Sequence, residues 1–307
     1  MERQRIEEAL STRASDTMFE KQSLALASGA WAELGVSGWA ATHHSWAIDA
    51  EPLIIFTAWL GDADRRMRDE TTDWCIRNWR HISKTRLKNL LHAQPAEVRA
   101  AFGEFSATVG EHASIAWPNA TSARPFTMTG RSALPRLDRP SMAWLRLRAM
   151  FGVSARSEIL RCFLSNNGDS IGVARLATLA GYGKRNVAEE CDGLERAGLL
   201  SVRAQGNRFQ YSLSRRRELE GLIGELPPHR PNWVALLNIT RELVILERWA
   251  ADGSPTTLPV HARSVVDRIG DDLDELGIEP PSDSVQPADL WPALRQLGRA
   301  HLGAWST

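Results

Sequence analysis

Lys184, Arg185 and Asn186 stand side by side where a helical stretch begins, and their side chains suit both targets that a nucleic acid presents. Lysine and arginine neutralise phosphates, arginine forks onto O6 and N7 of guanine, and asparagine pairs in the same two-pronged way with adenine. A second set, Arg203, Asn207 and Arg208, flanks a tight turn further along the chain. A third, Arg131, Arg136 and Arg139, lies upstream in a proline-rich stretch.

The first two sets need a framework, and the stretch from Ala155 to Ser214 supplies one. An apolar helix carrying Ile159, Leu160, Phe163 and Leu164 precedes a short helix from Val173 to Ala180 and a turn at Gly181-Tyr182-Gly183. A third helix starts at Lys184. There Val187, Cys191 and Leu194 recur at helical spacing and seat it on the other two, leaving Lys184, Arg185, Asn186 and Glu189 outside. Gly198 suits the left-handed position past the helix end. Alternating Val202, Phe209, Tyr211 and Leu213 around Gln205-Gly206-Asn207 then predict a β-hairpin, with Gly206 and Asn207 at its tip.

The segment SIGVARLATLAGYGKRNVAEECDGLERAGLLSV resembles the winged helix-turn-helix of bacterial transcriptional regulators of the MarR, ArsR and GntR type. The resemblance implies that the helix Lys184 to Ala197 enters the major groove of double-stranded DNA and that the wing, Arg203 to Arg208, reaches the flanking backbone or minor groove. Lys184, Arg185 and Asn186 become helix contacts by this likeness, and Arg203, Asn207 and Arg208 wing contacts. One departure stands out. Glu189, Glu190, Asp192 and Glu195 outnumber Lys184, Arg185 and Arg196 in that helix, and phosphate neutralisation supplies most non-specific affinity.

The remaining positive charge is concentrated nearby. From Met1 to Trp117 the chain has 13 basic and 16 acidic residues, from Pro118 to Arg217 it has 17 and 7, and from Glu218 to Thr307 it has 7 and 14. A neutral protein of 307 residues is thus basic only in its middle third, the electrostatic footprint of a nucleic-acid-binding module.

The length predicts more than one core. Residues 1–117 read as a helical N-terminal domain, in which Leu53 to Gly61, Met67 to Trp79 and a helix capped by Ser83 make either a second helix-turn-helix over 53–92 or a helical core with a basic surface. Residues 118–141, interrupted by Pro118, Pro125, Pro135 and Pro140, form a basic linker, either simply solvated or an arm in which Arg131, Arg136 and Arg139 track DNA. The winged helix occupies 142–217. Residues 218–307 form an acidic helical C-terminal domain with helices at Trp233 to Trp249, Val260 to Leu276 and beyond Asp289, which is placed to cap the last. Glu242, Glu247 and Arg248 fall on the solvated side of the first of these, and the surplus of leucines on it and on the helix beyond Asp289 suggests that the two form a homodimer interface.

No phosphate loop, nucleophile elbow, CxxC pair or HExxH helix occurs, so neither an enzyme nor a cofactor is expected. His43-His44 between Trp39 and Trp46 reads as a packed loop rather than a metal site, and Cys75, Cys162 and Cys191 as buried free thiols. The polar N-terminus resembles neither a signal peptide nor an anchor, which predicts a cytoplasmic protein. The expected fold is therefore mainly α, a winged helix with three helices and a hairpin flanked by helical N- and C-terminal domains. The expected function is that of a sequence-specific DNA-binding transcriptional regulator, and the composite size resembles that of regulators or antitoxins encoded beside toxin or phage-defence genes. The alternative is a winged helix that docks a protein partner, such as a toxin, through its acidic third helix and binds no DNA.

Overall fold

The computed structural model describes residues 17–166, 170–206, 208–252, 256–282 and 284–305. Among the described residues the first five α-helices are α1 (Met18–Glu33), α2 (Ala50–Leu60), α3 (Arg65–Asn78), α4 (Lys84–His92) and α5 (Ala96–Ala113). In the sequence AEPLIIFTAWL of α2 nearly every residue is buried, because other helices surround it. Side chains mark two starts as polar N-caps do: Asp64 accepts a hydrogen bond from the Met67 N–H at 2.9 Å, and Ser83 accepts one from Arg86 at 3.1 Å. Trp31 and Trp74 meet edge to face in this core, and their buried indoles donate to Thr57 Oγ1 and to the Leu34 carbonyl, both at 2.7 Å. The pair His43-His44 lies in a loop, where buried His43 lies edge-on to Trp46 and hydrogen bonds the Trp305 carbonyl at 2.7 Å.

Residues 118–139 carry no regular element, yet they are not a free arm. Arg77 of α3 donates to the carbonyls of Gly130 and Ser132, Ala133 donates to the Gly35 carbonyl, and Arg124 pairs with Asp69 at 2.6 Å. The stretch is a strap tied across α3 and the end of α1. The strap's backbone is held in several places by the helices beneath it, while most of its side chains, Arg131, Arg136 and Arg139 among them, are exposed.

After a 3-10 turn at Pro140–Met142 come α6 (Ala143–Phe151), α7 (Ala155–Ser165), β1 (Ile171–Gly172), α8 (Val173–Ala180), α9 (Lys184–Arg196), β2 (Leu200–Gln205), β3 (Arg208–Leu213) and α10 (Arg216–Ile223). The strands form one antiparallel sheet in the order β1-β3-β2, with Val202 opposite Tyr211 and Gln205 opposite Arg208. Period-2 geometry puts Leu200, Val202, Ala204, Phe209, Tyr211 and Leu213 on one face. Only the base of that face is covered: Leu200 and Tyr211 are buried, while Val202 and Phe209 are exposed.

Helices α11 (Trp233–Asp252), α12 (Leu258–Glu275) and α13 (Leu290–Trp305) complete the chain. α11 packs on α1, α2, α12 and α13, so that one end joins the N-terminal core through Trp233, Leu236 and Leu237. Its other end shares a core with Phe19, Ile269, Leu290 and Leu294. This overturns the solvated placing of Glu242 and Glu247. Glu247 is buried, where it accepts from the Phe19 N–H at 2.7 Å, and Glu242 is buried between Arg241 and Arg268. The α11 leucines offered above as a dimer surface are covered within the chain. Asp289 ends the 3-10 turn Pro287–Asp289 and directly precedes α13. The three cysteines are free and buried. Among the described residues no helix is long and apolar enough to cross a membrane.

Candidate nucleic-acid interface

The α8–α9 turn spans only Gly181, Tyr182 and Gly183, and Gly181 takes φ +70, which side chains with a Cβ rarely adopt. Its N–H returns to the carbonyls of Ala177 and Thr178, closing α8 and redirecting the chain into α9. Val187, Cys191 and Leu194 then bury completely against α7 and α8. What remains outside is the other face of α9, led by Lys184, Arg185 and Asn186, all exposed.

The acidic residues of α9 are largely engaged. Glu189 pairs with Arg185 and Glu190 with Arg156, each at 2.9 Å, and Asp192 accepts a hydrogen bond from the Tyr211 hydroxyl at 2.9 Å. The last contact fixes the hairpin against the second half of α9, and burial raises the Tyr211 pKa to about 12. Lys184, Asn186, Arg203 and Arg208 have no polar side-chain partner among the described residues and are exposed. Arg185 is also exposed, and its surface pair with Glu189 holds it weakly. Asn207 lies outside the described residues. Arg131, Arg136 and Arg139 are exposed on the strap, with Arg136 bridged to Asp138 at 3.0 Å. They are carried by α3 and the end of α1, whereas α9 begins against α4.

That second junction was not foreseen from the sequence. Arg86 of α4 is fully buried between Asp49 and Glu51, at 2.5 and 2.7 Å, and donates through Nε to the Ala180 carbonyl at 3.2 Å. Arg148 of α6 bridges Glu51 at 2.6 Å and Glu158 of α7 at 2.7 Å, and Arg161 pairs with Glu158 at 2.7 Å. Burial opposes every one of these charges. The neighbouring arginines nonetheless hold the Glu158 and Asp49 carboxyls below the usual carboxylate range, and the carboxylates keep Arg86 and Arg148 protonated far above the ordinary guanidinium value. Part of the positive surplus of the middle third is thus internal, because Arg148 and Arg161 are neutralised by carboxylates that include Asp49 and Glu51 of the first third. The signal was present in the sequence as charges set inside apolar runs, Ile48-Asp49-Ala50-Glu51 and Leu160-Arg161-Cys162.

Helix α9 is therefore held from two sides. Its buried face sits on α7 and α8, and the turn before it is fastened to α4 by Arg86, by Asn89 Nδ2 donating to the Gly181 carbonyl at 3.0 Å, and by Ser83 and Tyr182 sharing a 2.6 Å hydroxyl contact. Such an arrangement fixes the first turn of α9 in an exposed position. Comparison of the chain with protein-family models, with curated proteins and with solved structures finds no match.

Proposed function

We propose that residues 142–217 form a winged helix-turn-helix that binds double-stranded DNA, and that the protein is a sequence-specific transcriptional regulator. In this reading α9 enters the major groove by its first turn, where Arg185 and Asn186 read base edges and Lys184 meets phosphate. The β2–β3 hairpin is the wing, with Arg203 and Arg208 positioned for the flanking backbone. The observation that carries the reading is the pairing pattern on α9 and the hairpin: Lys184, Asn186, Arg203 and Arg208 are exposed with no polar side-chain partner among the described residues, whereas Glu190 and Asp192 are held by Arg156 and Tyr211. The competing use of α9 as an acidic docking face for a protein would require those carboxylates to be free.

Two copies on a two-fold symmetric site would supply the contact area that a single winged helix lacks. Binding of the full chain to a labelled mixed-sequence duplex, followed by anisotropy across a salt series, tests the proposal. Affinity should fall steeply as salt rises, and binding that is absent or independent of salt excludes it.

A further inference from the structure

The contacts that fasten the α8–α9 turn to α4 also shape an open trough beside it. Its walls are Lys88, Asn89 and His92 of α4, Arg99 of α5, Asn119 of the strap and Thr178 of α8, and it runs up to Gly183, the residue before Lys184. Leu90, Leu91, Pro118 and Val234 add apolar lining, and Gln94 and Asn238 polar lining. Among the described residues no carboxylate lines it. Glu97, on the first turn of α5, borders a different cavity with Trp59 and Arg248. Lys88 is exposed and has no polar partner among the described residues. Along α9, by contrast, the turns after the first carry Glu189, Asp192 and Glu195.

We propose that this trough holds the sugar-phosphate backbone of the same duplex whose major groove receives the first turn of α9, with Lys88 and Arg99 as its neutralising cations. The inference rests on the DNA-binding reading above and extends the footprint onto the N-terminal helices. A phosphate strand leaving Lys184 along α9 would run over carboxylates, and one leaving it past Gly183 enters a carboxylate-free channel. The apolar lining suits deoxyribose, which has no charge to satisfy, while the amides of Asn89 and Asn119 are spent on the Gly181 and Arg99 carbonyls and shape the walls. Because Asn89, Arg86 and Ser83 fix α4 to the turn, the trough and the start of α9 move as one surface.

The test uses the full chain and a fluorescein-labelled 30-base-pair mixed-sequence duplex, with anisotropy titrations from low to moderate salt and a thermal melt of each variant as a folding check. Lys88→Ala should raise the Kd several-fold at low salt and reduce the slope of log K against log salt by about 1, the signature of one lost phosphate contact. Thr178→Lys, which adds a cation at the exposed rim, should tighten binding several-fold and steepen the slope by about 1. If both variants keep the wild-type slope while Lys184→Ala lowers it, the trough is empty and the α9 reading survives. If the wild-type chain shows no salt-dependent binding, both the trough and the DNA-binding reading fall.

Discussion

At the scale of single residues, Arg86 holds the junction between the N-terminal helices and the segment that carries α9. It touches Asp49, Glu51 and the Ala180 carbonyl with no exposure to water. Removing one partner from a buried ionic set leaves the others uncompensated, which costs about 3–5 kcal/mol. Arg86→Met should therefore lower unfolding free energy by that order in urea titrations, and an unchanged midpoint would show that the cluster is not under electrostatic constraint. The same residues set an acid limit. Asp49 and Glu158 have folded pKa values depressed below their unfolded ones. Their contribution is complete above the unfolded value near 4 and is lost as pH falls through the folded values. Thermal melts should fall steeply below about pH 4, and Glu158→Gln should flatten that slope while lowering the melt at neutral pH. On the outer surface, Arg185→Ala or Asn186→Ala should cost about 1–3 kcal/mol on a selected site and relax base preference there, while Arg208→Ala should weaken all duplexes alike. Uniform losses in all three, measured on a randomised duplex pool, would remove α9 from the groove.

At the scale of elements, the α8–α9 turn was legible because its punctuation is local. The structure places α8 at Val173–Ala180 and starts α9 at Lys184, where the sequence pattern puts them, since glycines at 181 and 183 leave few alternatives. Gly181→Ala forces a Cβ into a left-handed backbone and to 2.9 Å from Cγ of Arg86, itself locked by carboxylates. We expect a loss of about 1–2 kcal/mol or more; an unperturbed melt would mean that the turn can relax away from α4. Helix α11 was read less well. Its pattern suggests one apolar face against one partner, but it runs between α1, α2, α12 and α13, so Glu242 and Glu247 are buried on ion pairs and backbone donors that no single-helix periodicity displays. On α12, burial raises the Asp272 pKa to about 6, above its unfolded value, so its charge disfavours folding as pH rises through that range. Asp272→Asn should raise the melting temperature at pH 7.5 and leave it nearly unchanged at pH 4.

At the scale of the whole molecule, dividing the chain by charge and prolines gives thirds that packing then crosses. Phe19 belongs to the core of the last helices, and Trp233 joins the core of the first ones, donating its indole N–H to the Ala47 carbonyl at 2.7 Å. These pairings were not legible because they join residues far apart in sequence, each apolar in a way that fits many partners. The ionic junction was hidden for the same reason, with Glu51 and Arg148 separated by 97 positions. A fragment of residues 142–223 loses Asp49, Glu51 and Arg86 but keeps Arg148, Glu158 and Arg161. It should melt well below the full chain by circular dichroism, and equal melting temperatures would show that this segment needs nothing from the N-terminal helices.

The cysteines give this junction a built-in readout. Cys75 lies in the N-terminal core, while Cys162 and Cys191 lie in the core beneath α9. Burial pushes all three thiols up, Cys191 to about 12, so an alkylating reagent at pH 8 finds almost no thiolate until a core opens. Modification rates therefore clock the opening of two cores separately within one unlabelled chain. If the ionic cluster ties those cores together, Cys75 and Cys191 keep the same time in the wild type, and loosening Arg86 lets the second run ahead of the first.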